Sequence, residues 1–302
     1  MTTTDLLPPD VEADPGQPRR GTVPSRGEDN PMRAVITSRG DRILVYVLLI
    51  AMGLVFAFPL YAMVAKSLQG AGIANYTTLL TQPVAGVNVL TTYLNSFVIG
   101  LLHAALVVGI GSMAGYALSK LHFRGRELAF ALIILFLAVP GTALLIPVFH
   151  ITNEADLFNN YLGVALPEAV LTIPFAVLLL RNYGHNLDDS LFEAARMDGA
   201  GHFRVFWHIF LPMTRPAIAN LLVLCMIWSL QDFLWPSMLF TNPGMTTAAQ
   251  AVSSFANALG RSAEDFGRYN ASLVLLAVPA VLFVLFGLRF IVNGFASGSS
   301  KE

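Results

Sequence analysis

The sequence is poor in charge and in cysteine. Only 12% of its 302 residues are charged and 55% are hydrophobic, whereas soluble domains carry roughly 25% charged residues, so we expect a membrane protein. The single cysteine, Cys225, lies in an apolar run and excludes an intrachain disulfide. The sequence has no Gly-x-x-x-x-Gly-Lys-Ser/Thr loop, no His-Glu-x-x-His, no Gly-x-Ser-x-Gly and no metal-ligand spacing among its six histidines. We therefore expect no catalysis by this chain and no bound metal or cofactor.

The first forty residues differ in character from the rest. They are polar and contain prolines at positions 8, 9, 15, 18, 24 and 31, a composition that cannot bury a core. The first apolar run is too distant and too long for a signal peptide. We expect residues 1–40 to be a disordered cytoplasmic tail and residues 41–302 to form one transmembrane domain.

Six apolar runs follow, each close to the roughly 20 residues that a membrane-spanning helix requires. The predicted fold class is accordingly an all-α membrane protein with six transmembrane helices. The predicted spans are about 43–65, 93–118, 128–150, 162–181, 216–240 and 271–293. Pro140, Pro147 and Pro174 are expected to kink the third and fourth spans. The motif Gly111-Ser-Met-Ala-Gly115 indicates close helix packing.

Basic residues set the expected orientation. With the N-terminus inside, segments on the cytoplasmic side hold 15 of the 18 Lys and Arg residues, and only Lys66, Arg261 and Arg268 lie outside. The positive-inside rule therefore places both termini, and the polar segment 186–215, in the cytoplasm.

Segment 186–215 has a helical pattern of its own. Ser190 and Glu193 have the spacing of a capping box, and Gly199 and Gly201 stand where a left-handed C-terminal cap falls. The aromatic-rich second half, from His202 to Leu211, is typical of a helix at a membrane interface. Two short helices joined by a glycine turn are predicted.

The same segment contains Glu193-Ala194-Ala195, Gly199 and Ile209-x-Leu211-Pro212. At this spacing it resembles the EAA loop of ABC-importer permeases, which forms the helices that dock on a separate ATPase subunit, and we call residues 186–215 the coupling segment. It implies coupling roles for Glu193, Ala194, Ala195, Asp198, Gly199, Ile209, Leu211 and Pro212. The alternative is that Glu193 merely caps a helix and the two alanines merely favour one.

From about Tyr93 to Gly294 the chain is similar to the MalG-like permeases of carbohydrate importers. This similarity rests on Asn95-Ser-Phe, Tyr116-Ala-Leu-Ser-Lys120, Phe123-Arg-Gly-Arg126, Asp232-Phe-Leu-Trp-Pro236 and Phe290-Ile-Val-Asn-Gly294. Met197 replaces the family's usual isoleucine, and the C-terminal tail departs from the family pattern, which leaves a tail contact with the ATPases open.

The resemblance implies a permease subunit of the bacterial inner (plasma) membrane that imports a sugar or sugar-like solute. Its implied partners are a second permease, forming a heterodimer, an ATPase dimer that binds ATP and Mg²⁺, an extracytoplasmic solute-binding protein and membrane lipid, with no nucleic acid. A permease for glycerol phosphate, a polyol or an amino acid is an alternative. A secondary transporter is a further one, although we find neither the internal repeats nor the paired midplane ions that it should have.

Four polar or aromatic residues of the predicted spans are candidates for the substrate pathway: Asn95, Gln231, Asp232 and Trp235. A carboxylate at membrane depth is costly and faces a cavity or a partner, although Asp232 could also be an interfacial residue near a helix end. Trp235 could stack on a sugar ring or anchor the helix at the interface. His103 and Glu168 are expected to pack against neighbouring helices.

Overall fold

The computed structural model describes residues 39–84, 86–258 and 262–296. Within these ranges the regular structure is helical, apart from one isolated antiparallel bridge between Val84 and Val87. The predicted tail, residues 1–40, lies outside the described residues except for its last two. Residues 297–302 of the C-terminal tail, which departs from the family pattern, also lie outside the described residues. The chain divides into two units, 1–58 and 59–302, and the described part of the first unit is the beginning of helix α1.

Twelve α-helices are numbered here in chain order over the described residues. They are α1 (Arg39–Ser67), α2 (Ala74–Thr81), α3 (Val89–Lys120), α4 (Arg126–Leu135), α5 (Leu145–Glu154), α6 (Tyr161–His185), α7 (Asp189–Met197), α8 (His202–Met213), α9 (Arg215–Gln231), α10 (Leu234–Leu239), α11 (Ala248–Ala258) and α12 (Ala263–Ala296). The predicted all-helical fold is confirmed.

Helices α1, α3, α6 and α12 are long and apolar enough to cross a membrane, and two bent pairs among the described residues bring the possible spans to six. The pairs are Arg126–Ala138 with Gly141–Glu154, and His202–Met213 with Arg215–Gln231. The bends arise beside prolines, Pro140 in the first pair and Pro216 in the second, which have no amide proton for a helical hydrogen bond.

The third predicted span is not one helix. Its two halves meet at an angle of 91°, and the break falls at Val139 and Pro140, both of which have extended backbone angles. Proline disfavours a helical conformation at the residue before it and has no amide proton for a helical hydrogen bond. The sequence predicted a kink at Pro140 and underestimated its size.

The fifth predicted span, 216–240, is also interrupted. Helix α9 ends at Gln231, Asp232 is extended, and α10 begins only at Leu234. The span predicted at 216–240 is therefore not one continuous helix, and Asp232 lies directly after the end of α9. Its carboxylate accepts a hydrogen bond from the Leu234 amide, two residues further on, at 2.8 Å, and so stabilises the turn into the short helix that follows.

Close packing of α3 against α6 forms the centre of the second unit. A Cβ on Gly111 would lie 2.7 Å from the Ala176 Cβ, and one on Gly115 would lie 2.7 Å from the Leu180 Cβ. Such distances leave no room for a side chain, so the two glycines allow the backbones to approach. The helix contact predicted from the small-residue motif is confirmed. Helix α9 completes this core, and its Cys225 is a buried free thiol.

Besides the two helices of the coupling segment, two short helices, α2 and α11, lie outside the six predicted spans. They contribute Leu79 and Phe255, respectively, to one buried apolar cluster. Periodicity did not reveal them because a helix of eight or eleven residues carries too few apolar positions to stand out.

Candidate functional site

The coupling segment begins with a capped helix. Asp188 is the N-cap of α7, and its carboxylate accepts a hydrogen bond from the Ser190 amide at 3.0 Å. The predicted capping box with Ser190 as the cap is therefore wrong by two residues, because Asp188 offers a stronger acceptor where the chain first turns. Glu193 does not form this cap, and its side chain is exposed.

The turn after α7 is a Schellman motif. The Ala200 amide donates to the Ala195 carbonyl at 2.9 Å and the Gly199 amide donates to the Arg196 carbonyl at 3.0 Å. Gly199 has a φ of +77°, a conformation that costs other residues about 1–2 kcal/mol. The left-handed cap predicted at Gly199 is confirmed. Gly201 has a φ of −68° and instead precedes α8 as its N-cap.

Helix α8 contains a wider turn. Residues Phe206–Phe210 are π-helical, and the Leu211 amide donates to the Phe206 carbonyl. The next residue, Pro212, has no amide proton, so the regular bond to the carbonyl four residues earlier cannot form there. The wide turn presents Phe206 and Phe210 on one side, where both are buried.

The buried side of α8 packs on the end of α3. The Tyr116 ring lies 5.5 Å from the Phe206 ring and 5.2 Å from the Phe210 ring, centre to centre. Phe192 from α7 and Val205 join the same cluster. Aromatic pairs at such distances add about 0.5–1.5 kcal/mol to the burial of apolar area. The coupling segment is thus fixed to the transmembrane helices by an aromatic core.

The predicted coupling residues divide between two environments. Glu193, Ala194, Asp198 and Gly199 are exposed, and Ala195, Ile209, Leu211 and Pro212 are partly buried. Their exposed neighbours include Met197, with 89% of its surface exposed, and Phe203, with 73%. We call Glu193, Ala194, Met197, Phe203 and Trp207 the coupling surface. It combines one carboxylate with large apolar side chains, a composition typical of interaction sites.

A second attachment, which sequence reasoning missed, holds the start of α7. The buried Lys120 ammonium donates to the Leu187 carbonyl at 2.8 Å and to the Asp189 carboxylate at 2.5 Å. It also lies 4.6 Å from the centre of the Phe192 ring. The Lys120 hydrogen bond and positive charge hold the pKa of Asp189 below its usual range. The only signal in the sequence was a lysine at the end of an apolar run.

A cavity of about 260 Å³ lies within the membrane-spanning helices. Its wall is formed by His103, Glu168, Leu171, Thr172, Trp228, Ser229, Gln231, Asp232 and Trp235. Three of the four residues predicted for the substrate pathway, Gln231, Asp232 and Trp235, therefore line one space. His103 and Glu168 are buried as expected, and they too face this cavity.

Asn95 lies elsewhere. Its amide nitrogen donates to the carbonyls of Gly244 and Thr246, both at 2.9 Å, and its oxygen accepts from the Tyr161 hydroxyl at 2.8 Å. It thereby ties α3 to α6 and to the loop before α11, at the end of the bundle opposite the coupling segment. Asn95 does not line the cavity, and its side chain is fully engaged in these bonds.

The described residues include no group of three or more His, Cys, Asp or Glu side chains that could hold a metal ion. The two arrangements that stand out are the coupling surface at one end of the bundle and the polar cavity within it. Together with the six possible spans, they define a multi-pass membrane protein of the transporter type.

The sequence places this protein in a family. A profile of the family described as "Binding-protein-dependent transport system inner membrane component" matches residues 107–296, which is more than half of the chain. The chain therefore belongs to this family of permeases, as the resemblance predicted, and is a multi-pass protein of the inner membrane.

Individual relatives match over most of their length. The arabinooligosaccharides transport system permease protein AraQ of Bacillus subtilis (strain 168) is 27% identical over 277 residues, 86% of this chain and 96% of the relative. The sn-glycerol-3-phosphate transport system permease protein UgpE of Yersinia pestis bv. Antiqua (strain Antiqua) is 31% identical over 273 residues, 85% and 96% of the two chains.

A solved structure shows the same fold. It is the crystal structure of a bacterial ABC transporter involved in the import of the acidic polysaccharide alginate. The matched chain has a TM-score of 0.69 and 23% identity, with 83% of this chain and 97% of that chain covered. At this identity the likeness establishes the fold alone.

Proposed function

We propose that this chain is the permease subunit of an ATP-driven importer and forms, with a second permease, the pathway for a sugar or sugar-like solute delivered by an external binding protein. ATP and Mg²⁺ bind to a separate ATPase dimer, and this chain is not catalytic. Family membership and the names of the relatives support this role.

The coupling segment is the observation that carries the proposal. Its exposed surface would dock on the ATPase, while its other side is fixed to α3 by Lys120 and by the cluster around Tyr116. A force applied to the coupling surface would therefore reach the transmembrane helices through packed side chains. By linkage, the ATPases and the binding protein each shift the equilibrium only through their different affinities for the inward- and outward-open states.

The charge distribution supports an orientation with the coupling segment and both termini in the cytoplasm. Lys120, Arg126 and Arg181 lie at the same end of the bundle as α7. Lys120 pairs with Asp189 of α7, and the two arginines donate to the carbonyls of Leu121 and Leu118, beside Lys120. The positive-inside rule assigns such an end to the cytoplasm, where ATP is available.

The first test is purification of the tagged chain from its own membranes in mild detergent, with mass spectrometry of the proteins that accompany it. The proposal predicts an ATPase, a second permease and a binding protein. Reproducible recovery of this chain alone would contradict it.

A second test addresses the coupling surface. Reversing the charge with Glu193→Lys is expected to reduce recovery of the ATPase and solute uptake together. The matched control is Glu154→Lys, which reverses an exposed carboxylate at the opposite end of the bundle and should leave recovery of the ATPase unchanged. Equal behaviour of the two variants would argue against docking at Glu193.

A further inference from the structure

Three buried side chains in the cavity wall face one another. The Glu168 carboxyl group of α6 lies within hydrogen-bond reach of the Ser229 hydroxyl and of the Asp232 carboxyl group, at the end of α9. Within the described part of the chain, four oxygen atoms of these side chains have no partner elsewhere: Glu168 Oε1 and Oε2, Ser229 Oγ and Asp232 Oδ2. Because buried polar atoms are nearly always paired, we expect these four atoms to pair with one another.

The cavity wall supplies no fixed positive charge to the two carboxyl groups. Its residues include neither lysine nor arginine. His103 Nδ1 lies 3.7 Å from Glu168, too far for a hydrogen bond, and donates instead to the Cys225 carbonyl at 3.2 Å. His103 Nε2 lies 3.0 Å from the Thr172 hydroxyl, which can donate to it, so the neutral imidazole has a partner at each nitrogen. The other titratable group near Glu168 is the Cys225 thiol, which carries no positive charge.

The two carboxyl groups differ in their donors. Asp232 accepts a hydrogen bond from the Leu234 amide at 2.8 Å, and such a donor favours the ionised carboxylate. If Glu168 were ionised as well, two like charges would be in contact and Asp232 Oδ2 would have no donor. One proton on Glu168 removes both problems, because the protonated carboxyl group donates to Asp232 Oδ2 while the Ser229 hydroxyl donates to the other Glu168 oxygen. All four atoms then have a partner.

We propose that Glu168 and Asp232 hold one proton between them at neutral pH, in a buried proton-binding site that fastens α6 to the end of α9. Both helices also pack in the core around α3, so the hydrogen bond joins two parts of one bundle. Release of the proton leaves two adjacent negative charges, which weakens this connection. By linkage, the proton favours the conformations that keep the two helices together. The site goes beyond the proposed function, since it requires neither a solute nor an ATPase.

Infrared spectroscopy of the purified complex tests for the proton, in a maltoside detergent that has no ester carbonyl of its own. Exposed carboxyl groups, with a pKa of about 4, are ionised at pH 7, so a C=O stretching band of a protonated carboxyl group at that pH reports a buried one. We expect this band in the wild-type complex and its loss in Glu168→Gln. Glutamine keeps a donor for Asp232 and an acceptor for Ser229, so the contact between the helices remains.

Asp232→Asn tests whether the two groups share the proton. The asparagine oxygen should accept from the Leu234 amide, which turns its NH2 group towards Glu168 and favours the ionised form of that carboxyl group. We expect proton binding to weaken about tenfold or more, so the band should disappear at a lower pH than in the wild type. Glu154→Gln, which changes an exposed carboxyl group outside the cavity, is the control and should leave the band unchanged.

The unfolding temperature provides a second measurement. The wild-type complex should lose stability as the pH rises through the value at which the band disappears, whereas Glu168→Gln should not, because it has no proton to release. The proposal is overturned if Glu168→Gln has the same infrared spectrum as the wild type at pH 7. It is also overturned if Asp232→Asn leaves the pH dependence of the band unchanged, or if the wild type and Glu168→Gln lose stability equally as the pH rises.

Discussion

Replacing Lys120 with methionine should loosen the coupling segment without removing its aromatic core. Methionine has a similar length and keeps the packing of the stem, but it loses both hydrogen bonds and the contact with the Phe192 ring. The bond to the partly buried Leu187 carbonyl is worth about 1.5 kcal/mol, and the cation–π contact about 0.5–1 kcal/mol. The Asp189 side chain is 78% exposed, so solvent reduces that ion pair to at most about 1 kcal/mol.

Burying the ammonium has a desolvation cost, which methionine relieves. The net loss of anchoring free energy is therefore about 2 kcal/mol, which corresponds to a change of roughly thirtyfold in the population of the anchored start of α7. We expect faster hydrogen exchange over residues 190–197 and fewer solute molecules imported per ATP hydrolysed in proteoliposomes. Asp189→Asn, which keeps the bond to Leu187, should show a smaller change in both measurements.

The same contact predicts a pH dependence. The Lys120 ammonium lowers the pKa of Asp189 in the folded protein, so the ion pair stabilises α7 above the carboxyl's usual pKa of about 3.9. The stabilisation is lost as the pH falls through the lowered pKa. Exchange protection of α7, corrected for intrinsic exchange rates, should be constant from pH 7 to pH 5 and should decline below about pH 4. Asp189→Asn should remove that decline.

Unchanged hydrogen exchange and an unchanged number of solute molecules imported per ATP in Lys120→Met would refute the anchoring role.

Three further substitutions test the local geometry. Gly199→Ala should cost about 1 kcal/mol through its positive φ and reduce the solute imported per ATP, whereas Gly201→Ala, with a negative φ and open space around it, should not. Gly111→Leu should lower the thermal stability of the complex by about 1–3 kcal/mol through overpacking. The control Gly109→Ala, whose added Cβ meets no atom within 4 Å, should be neutral. Equal unfolding temperatures for the two variants would contradict the close packing. Asn95→Leu should lower the free energy of unfolding by about 2–3 kcal/mol, because it leaves two carbonyls and a hydroxyl without partners. Thermal unfolding measures this change, and an unchanged unfolding temperature would mean that water replaces the amide.

The sequence predicted the fold class and the glycine turn well. The long apolar runs became helices because the backbone of a membrane segment must satisfy its own hydrogen bonds. Gly199 was predictable because only glycine adopts the left-handed conformation at little cost. The interruptions of the third and fifth spans were not predictable in this way. A proline indicates a break but does not determine its angle, and the break at Asp232 has no proline or glycine before it.

The candidate sites show the same division. Spacing along the chain selected Glu193 and Gly199, because a turn depends on neighbouring residues, and it selected Gln231 and Asp232, because polar residues are rare in apolar runs. It could not pair Lys120 with Asp189, nor bring Glu168 within reach of His103, since those contacts join separate helices. Only the tertiary structure decided that Asn95 fastens a loop while Glu168 and Asp232 face one cavity, because the packing of α3, α6 and α9 determines which polar groups from separate helices meet.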